Sequence, residues 1–414
     1  MILIGKRGHT YRLERQPFAQ GGEGEIYRDM VYSDIVIKIY KQNVDVSGRE
    51  QKLLVMLDNP PNEDQLKQIA WPIDVVYTQG GQFAGFVMQN LEISEELNVF
   101  YEYGPTAKYP DLPWSSKLVI ARNLCAVVDS IHAANHVIGD FNPKNISVNP
   151  NTGRVTMLDT DSYHIGEGKH RCIVGMPDYL PPEVQKKMKG NGLAEARLPT
   201  FTKESDNFAL AVHIFQLLMN GTHPFTCALL PKYESLGASM PSDNILKNHT
   251  PFFRSIHGRI PPKFAPSIKI LPSSTRKLFR RTFLKGHANP KSRVKAADWY
   301  KELGRLESSL VHCSRFNHHE FPKSFKKCPW CVADMRFRDT RQKHTKVVKE
   351  GAKKRHEQKV EKAIQEIEKV YGPRKKRRSF LGRLFGSGET FEVIKYVGLI
   401  ALAIGATFLL IWFL

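Results

Sequence analysis

The sequence is poor in cysteine and lacks a long apolar run near its beginning. Only six cysteines occur in 414 residues. Three of them, Cys125, Cys172 and Cys227, lie far apart in the sequence. This excludes a disulfide framework of the kind that holds small secreted domains together. We also expect no signal peptide, because the first residues contain no extended apolar core. Both absences favour a reducing compartment, in which the thiols are free or bind metal.

Acidic residues are also scarce relative to basic ones. The chain has 61 Lys and Arg against 41 Asp and Glu, a net charge of +20. Residues 336–395 alone contain 19 Lys and Arg against 8 Asp and Glu, an excess of 11. Because the basic character is mostly that of a tail, we expect no specific nucleic-acid partner.

The order of local patterns predicts an α+β fold with two lobes. Residues 1–90 carry short apolar runs bounded by Gly, Asp and Gln, which predicts strands with one short helix over 49–57. Residues 91–305 show helical spacing of apolar residues, including a helix with Ser115 or Ser116 as its N-cap. A strand-rich half followed by a helix-rich half is typical of α+β proteins. No internal repeat is found.

Two acids and an asparagine lie on what we interpret as neighbouring loops. Asp140 and Asn145 occur in "VIGDFNPKNISV", and Asp159 follows in "VTMLDTDSY". A phosphoryl transfer needs a carboxylate that orients the attacking hydroxyl and oxygen ligands that hold Mg²⁺. These residues would supply those groups, although a plain turn between two strands fits the same pattern.

The N-terminal half adds groups that a nucleotide site would need. The stretch "AQGGEGEIY" places Gly21, Gly22 and Gly24 between two predicted strands, where backbone amides can approach phosphates closely. Lys38 lies on the next strand, and Glu50 lies at the start of the following helix. Taken singly, the glycines fit a hairpin turn and the charged residues fit a surface.

In this order, the residues resemble those of a eukaryotic-type protein kinase of the divergent kind found in bacteria, over residues 11–305. The resemblance implies a two-lobed kinase fold. It also implies an enzyme that uses ATP and Mg²⁺ to phosphorylate serine or threonine of protein substrates. It implies Gly21 and Gly24 as part of the glycine-rich loop and Met88 at the start of the nucleotide-binding hinge. The remaining implied roles are the phosphate-binding lysine Lys38, its partner Glu50, the catalytic acid Asp140, and the magnesium ligands Asn145 and Asp159.

Further matches distinguish protein kinases from small-molecule phosphotransferases. "GMPDYLPPE" resembles the end of an activation segment, with Glu183 as its last residue, and Asp206 matches the buried acid of the following helix. Arg293 stands where the family has the arginine that pairs with the glutamate. Small-molecule phosphotransferases share the aspartate and asparagine loop but are not expected to have this segment, so the sequence favours a protein substrate.

Several residues depart from the kinase pattern. Gly139 precedes Asp140 where the family has arginine, which makes control by activation-loop phosphorylation doubtful. Asn142 replaces the catalytic-loop lysine. Thr160 and Asp161 replace the Phe-Gly that follows the metal-binding aspartate. These departures leave an alternative, a catalytically weak or inactive scaffold that recruits partners.

Residues 306–335 contain a second cluster of candidate ligands. Cys328 and Cys331 form a C-x-x-C pair, and Cys313 with His319, or with His318 as the alternative, completes a tetrahedral set. This composition predicts a small zinc-ribbon-like module whose closed site is structural. A redox C-x-x-C would need a βαβ context that is absent. The C-P-W-C ribbon after a kinase-like domain resembles a set of bacterial kinase-like proteins.

The last two segments predict attachment to a membrane. Residues 336–392 are a basic, partly helical linker, with a spacer helix over 345–371. Residues 393–414 include 19 uncharged residues, 396–414, which is long enough for a single transmembrane helix. The basic flank predicts that the catalytic domain stays in the cytoplasm and contacts anionic lipids, at a bacterial inner membrane. A buried apolar helix is the competing interpretation. No oligomeric state follows from the sequence.

Overall fold

A computed structural model of the chain describes residues 1–104, 106–166, 170–188, 192–193, 200–335 and Gln358. Its N-terminal part is built on a sheet of seven strands. The strands are β1 (Ile2–Gly5), β2 (Thr10–Arg12), β3 (Ala19–Gln20), β4 (Gly24–Arg28), β5 (Ile35–Tyr40), β6 (Pro72–Tyr77) and β7 (Phe83–Gln89). They pair antiparallel in the order β2-β1-β6-β7-β5-β4-β3.

The alternation of side chains along β5 decides what faces the rest of the molecule. Val36 and Tyr40 pack into the main core, whereas Ile37 packs into a smaller cluster on the opposite face of the sheet. Because strand residues alternate between faces, Lys38 lies on the same face as Val36 and Tyr40. A buried lysine therefore points from the central sheet toward the main core.

Two helices follow β5 before the sheet resumes. They are α1 (Arg49–Asp58) and α2 (Glu63–Leu66). The first begins after Gly48, whose φ of 74° is accessible to glycine at little cost. Its buried residues Leu53 and Met56 are three apart and hold one face of α1 against the core. The helix predicted over 49–57 is thus present.

The C-terminal part is mainly helical. Its helices are α3 (Trp114–Ala133), α4 (Pro182–Lys187), α5 (Lys203–Leu218), α6 (Pro241–Leu246), α7 (Ser273–Arg280), α8 (Gly286–Ala288) and α9 (Ala296–Glu307). A π-helical stretch, Arg281–Lys285, joins α7 to α8. Short antiparallel strands accompany them: β8 (Glu95–Glu96), β9 (Ile146–Val148), β10 (Val155–Met157), β11 (Ala228–Leu229) and β12 (Arg259–Ile260).

The central helix α5 is buried along almost its whole length. A capping box closes its first turn, because the Thr202 side chain accepts from the Ser205 backbone and the Ser205 side chain accepts from the Thr202 backbone. Phe208, Phe215 and Leu218 are among its fully buried residues. The helix is buried on nearly all sides, as expected for one at the centre of a core.

The predicted serine caps of α3 are wrong. The helix begins at Trp114, its N-cap residue is Pro113, and no side chain of that residue can bond the first turn. The backbone N–H of Ser115 instead donates to Glu320 Oε2, 2.6 Å away. This carboxylate, which comes from a distant segment, accepts a hydrogen bond from an N–H that has no partner within the helix. Its negative charge also interacts favourably with the positive end of the helix dipole.

That carboxylate belongs to a hairpin formed by β13 (Leu310–His312) and β14 (Glu320–Pro322), which pair antiparallel. The Trp330 ring packs edge-on against Trp114, and its Nε1 donates to Glu320 O at 2.6 Å. The hairpin belongs to the same compact unit as the sheet and the helices.

The domain boundaries at 90, 305 and 335 remain predictions. The predicted linker helix over 345–371 and the apolar segment 393–414 lie outside the described residues, apart from Gln358. Within the described part of the chain, every helix is too short or too polar to cross a membrane.

Candidate active site

A cavity of about 560 Å³ opens between the seven-stranded sheet and the segment that carries Asn145 and Asp159. Its size is within the range of small-molecule and cofactor sites. Five of the residues predicted from sequence line it: Gly22, Lys38, Met88, Asn145 and Asp159. These residues lie far apart in the sequence, and the fold brings them to one space.

The glycine turn between β3 and β4 forms one edge of the cavity. The Gly21 N–H donates to Gly24 O at 2.9 Å, which closes a tight turn around Gly22. A Cβ on Gly24 would lie 2.8 Å from the Ile39 carbonyl oxygen of β5. Glycine at position 24 therefore permits the close approach of β4 to β5 that puts the turn above Lys38.

Lys38 Nζ is buried and holds two carboxylates. It lies 2.9 Å from Asp159 Oδ1 and 2.7 Å from Asp161 Oδ1. Burial alone would lower the pKa of Lys38, but the charges of Asp161 and then Asp159 outweigh burial and raise that pKa. The lysine is thus held in its charged form at the floor of the cavity.

The predicted pairing of Lys38 with Glu50 is not found. Glu50 Oε1 instead accepts a hydrogen bond from Tyr77 OH at 2.7 Å. Arg49 and Lys52, three residues apart, share a different face of α1. Since one residue along a helix corresponds to a turn of about 100°, the rotation that points Arg49 and Lys52 toward Asp161 turns Glu50 away from the lysine.

Asp140 lies in a loop that is fixed by a buried acid. The backbone N–H groups of Ile138 and Gly139 donate to the Asp206 carboxylate at 2.7 and 3.0 Å, and His132 Nε2 bonds the same group at 2.9 Å. Gly139 has a φ of 78°, and a Cβ there would lie 2.8 Å from Cys172. Both facts require glycine before the acid.

The Asp140 carboxylate is partly exposed and contacts its own loop. Its Oδ2 accepts from Asn142 Nδ2 at 2.8 Å and from Asn145 Nδ2 at 3.3 Å, and its Oδ1 accepts from the Met176 N–H at 3.2 Å. Because the Asn145 amide nitrogen is bonded to Asp140, its amide oxygen is directed elsewhere. Asn142, where the resemblance led us to expect a lysine, thus orients the acid.

The Asp159–Asp161 segment also lines the cavity, at the edge opposite the glycine turn. Asp159 has a left-handed φ of 53°, and its side chain is 39% exposed. Burial and the neighbouring Asp161 raise the pKa of Asp159. Burial also acts to raise the pKa of Asp161, but the Lys38 charge and the Tyr40 hydroxyl outweigh it and lower that pKa. The enclosed carboxylate of Asp161 is therefore held in its charged form, and the carboxylate of Asp159 faces the cavity.

The predicted ion pair behind the activation segment is confirmed. Arg293 Nη1 and Nη2 lie 2.6 and 2.7 Å from the two carboxylate oxygens of Glu183. The same guanidinium donates to the carbonyl oxygens of Gly286 and Glu204. This fully buried arginine joins α4, α5 and the α8 turn.

The Cys and His residues predicted as ligands form one cluster. Ligand atoms of Cys313, His319, Cys328 and Cys331 all lie within 4.8 Å of one another. His319 Nδ1 is 3.7 Å from the sulfurs of Cys328 and Cys331, and its Nε2 is 3.1 Å from Asp334 Oδ2. A carboxylate on the far nitrogen is the usual support of a metal-binding histidine.

The alternative ligand, His318, points in another direction. Its Nδ1 lies 3.7 Å from Asp111 Oδ1. It joins His319 and Asp334 in a second, overlapping group of side chains. The three thiols face His319 in the four-residue cluster, so the structure favours the first choice made from sequence.

Sequence reasoning missed the contacts of Arg49 and Tyr40 and the burial of Lys52. Arg49 forms a two-pronged pair with Glu23 of the glycine turn at 2.7 and 2.9 Å and lies 3.5 Å from Asp161. Tyr40 OH donates to Asp161 Oδ2 at 2.7 Å. The i,i+3 spacing of two cations on α1 was the available signal for a buried acid opposite them.

Comparison with known proteins gives a consistent picture. The chain is 29% identical over 334 residues to protein kinase YegI of Escherichia coli (strain K12), covering 76% of this chain and 48% of the relative. It is 24% identical over 184 residues to human Rho-associated protein kinase 1, covering 42% of this chain and 12% of that protein. No family model matches.

The chain thus spans about half the length of the YegI relatives that it matches. A rhoptry kinase from Toxoplasma gondii aligns with a TM-score of 0.47 and 15% identity, over 74% of this chain and 83% of that one, which is too distant to support a conclusion. The chain is thus similar over 334 residues to a bacterial protein kinase, and its described part combines a seven-stranded sheet with a mainly helical part.

Proposed function

We propose that the chain is a protein kinase that transfers the γ-phosphoryl group of ATP to serine or threonine of protein substrates. One observation carries most of the proposal: Lys38, Asn145 and Asp159 line a single nucleotide-sized cavity, and Asn145 also contacts Asp140. Similarity to protein kinases over 334 residues supports it.

The chain's own groups fit this chemistry. Lys38 would hold the phosphates with its charged amine, and the glycine turn would cover them with backbone amides. Asp140 would accept a hydrogen bond from the attacking hydroxyl and orient it toward the phosphate. Met88 and the end of β7 would contact the adenine ring from the apolar wall of the cavity.

The donor set at the cavity edge suits magnesium. The Asp159 carboxylate and the free amide oxygen of Asn145 are hard oxygen ligands, which Mg²⁺ prefers. Bound Mg²⁺ would supply positive charge to the phosphate oxygens. The partial exposure of Asp159 toward the cavity is consistent with a carboxylate that has a further partner when the site is loaded.

A protein acceptor is favoured over a small molecule. The segment that ends at Glu183 is fixed by Arg293 beside the Asp140 loop, to which Met176 of the same segment donates. This gives the site an ordered wall on which an extended peptide can lie.

The test is phosphate transfer from γ-labelled ATP by the full chain with Mg²⁺. We expect labelled protein or labelled basic protein substrate, a loss of at least about 100-fold in Asp140→Asn, and little change in Asp129→Asn, an exposed acid of α3. Equal, background label in all three despite ATP binding would instead support the scaffold alternative. Label only on soluble small acceptors would indicate a small-molecule phosphotransferase.

We further propose that the Cys and His cluster binds structural zinc. Three thiols and one imidazole nitrogen are a closed tetrahedral set that leaves no position for a substrate. Membrane attachment through 393–414, with the catalytic part in the cytoplasm and the basic linker on anionic lipid, completes the proposal.

A further inference from the structure

Asp161 occupies a central position among the cations of the site. Its side chain is 2% exposed, and its oxygens lie 2.7 and 2.9 Å from Lys38 Nζ. Tyr40 OH donates to Oδ2 at 2.7 Å, and Arg49 Nη1 lies 3.5 Å from the same oxygen. One carboxylate thus connects β5, α1 and the segment after β10.

The helix beside the lysine supplies cations to this space. Arg49 Nη1 lies 3.5 Å from Asp161 Oδ2, and Lys52 is buried with 7% exposure. Burial lowers the pKa of Lys52 to about 8, although Cys172 and then Asp161 act in the opposite direction. Glu50, the acid of the same helix turn, is bonded to Tyr77. A carboxylate from α1 is therefore not available to hold Lys38.

The remaining carboxylate near Lys38 has a different environment. Asp159 also contacts Lys38, but its side chain is 39% exposed and faces the cavity. A group in that position can turn toward a ligand and release the lysine. Asp161 also borders the cavity, but its side chain is only 2% exposed and is held by the Tyr40 hydroxyl.

We propose that Asp161 is the positioning residue for Lys38, so that the segment after β10, and not helix α1, supplies the counter-ion that aims this lysine at the phosphates. This inference rests on the proposed function, since it assumes that Lys38 binds phosphate. It also gives Arg49 a role, because the pair with Glu23 and the contact with Asp161 connect the glycine turn to the same carboxylate.

The inference predicts a specific pattern of nucleotide affinity without metal. We would measure Kd for adenosine and for ADP with the full chain in the absence of Mg²⁺. Asp161→Asn keeps the size of the side chain and an acceptor for Tyr40, and Lys38→Met removes the amine. We expect each variant to weaken ADP binding at least about 10-fold while adenosine binding changes less than about 3-fold.

The double variant decides whether the two residues act together. If Asp161 acts through Lys38, the loss of ADP affinity in Asp161→Asn plus Lys38→Met should equal that in Lys38→Met alone, within about 3-fold. Additive losses would overturn the inference. So would tighter ADP binding by Asp161→Asn, because the carboxylate would then only repel phosphate.

Two other roles give different results. A metal ligand at position 161 predicts a loss only when Mg²⁺ is present, and a merely structural residue predicts equal losses for adenosine and ADP. Asp129→Asn serves as the matched carboxylate-to-amide control. If ADP and adenosine bind as expected but no phosphate is transferred, the proposed kinase activity alone is overturned. If neither ligand binds, the proposed kinase activity and the role of Asp161 are both overturned.

Discussion

Asp159 and Asp161 are two residues apart and have opposite environments. Asp159 is partly exposed at the cavity, and Asp161 is enclosed by Lys38, Tyr40 and Arg49. The sequence indicated only an extra acid near the metal site. Its contact with Lys38 spans 123 positions along the chain, and such long-range pairing depends on how the sheet and the later segment pack.

At the residue scale, the two adjacent histidines permit a direct test of the zinc site. In the full chain, His319→Gln should reduce bound zinc from one equivalent to well below half, because Nδ1 is the nitrogen that faces the thiols. His318→Gln should retain zinc, since its ring faces Asp111. Elemental analysis after dialysis measures this. Retention by the first variant and loss by the second would reverse the assignment.

At the scale of elements, α5 supports the Asp140 loop through a buried neutral histidine. His213 Nε2 donates to Phe141 O at 3.0 Å, and its Nδ1 accepts from Tyr101 OH at 2.6 Å. Burial lowers the pKa of His213 to about 3 from an ordinary value near 6.5. Protonation would place an unpaired charge in the core beside the Asp140 loop.

This histidine makes the fold sensitive to acid. Between pH 6.5 and 3 the unfolded chain binds a proton at position 213 that the folded chain does not, so stability falls as the pH decreases. At pH 5 this difference in proton binding at His213 lowers the free energy of unfolding by about 2 kcal/mol. Urea unfolding at pH 7.5 and 5 should show a smaller pH dependence in His213→Gln by about this amount. The exposed His9→Gln should show the wild-type dependence, and an unchanged dependence in His213→Gln would contradict the assignment.

The arginine that joins three helices should dominate the stability of the helical part. Arg293→Met leaves the Glu183 carboxylate and the carbonyls of Gly286 and Glu204 without their donor. We expect a loss of about 3–5 kcal/mol in the free energy of unfolding, from denaturant titration of the full chain. The loss in Arg293→Lys should be smaller than in Arg293→Met but still measurable, because an ammonium keeps the charge and lacks the planar fork of the guanidinium. The exposed Lys291→Met is the control, and similar effects of both methionine variants would argue against the pair.

Several elements could be predicted because their signals are local. The strand pattern around Lys38, the α1 segment and the long apolar α5 follow from residue spacing, and the order of motifs along the chain indicated the cavity residues. The direction of Glu50 could not be predicted, since a rotation of α1 by one residue exchanges it with Arg49. The N-terminal cap of α3 comes from Glu320, which lies 205 positions away from Ser115 and has no local signal.

At the scale of the whole molecule, membrane attachment is the main untested prediction. The full chain should sediment with membranes and resist extraction by alkaline carbonate. The same chain without 393–414 should be released by high salt, because only the basic linker would then contact anionic lipid. Fractionation with detection of the protein measures both. Carbonate release of the full chain would contradict a spanning helix.

The contact between the hairpin and α3 affects how the protein can be divided. Glu320 accepts from the Ser115 N–H, and Trp330 covers Trp114, so the ligand-bearing hairpin closes the start of the longest described helix. A shortened protein ending at residue 305 would leave that N–H without an acceptor and expose the indole of Trp114. Chelation should have a related effect: loosening of the hairpin should change the tryptophan fluorescence, because Trp114 and Trp330 are in contact there. A shortened protein that keeps the Asp140 loop should therefore end after the cysteines.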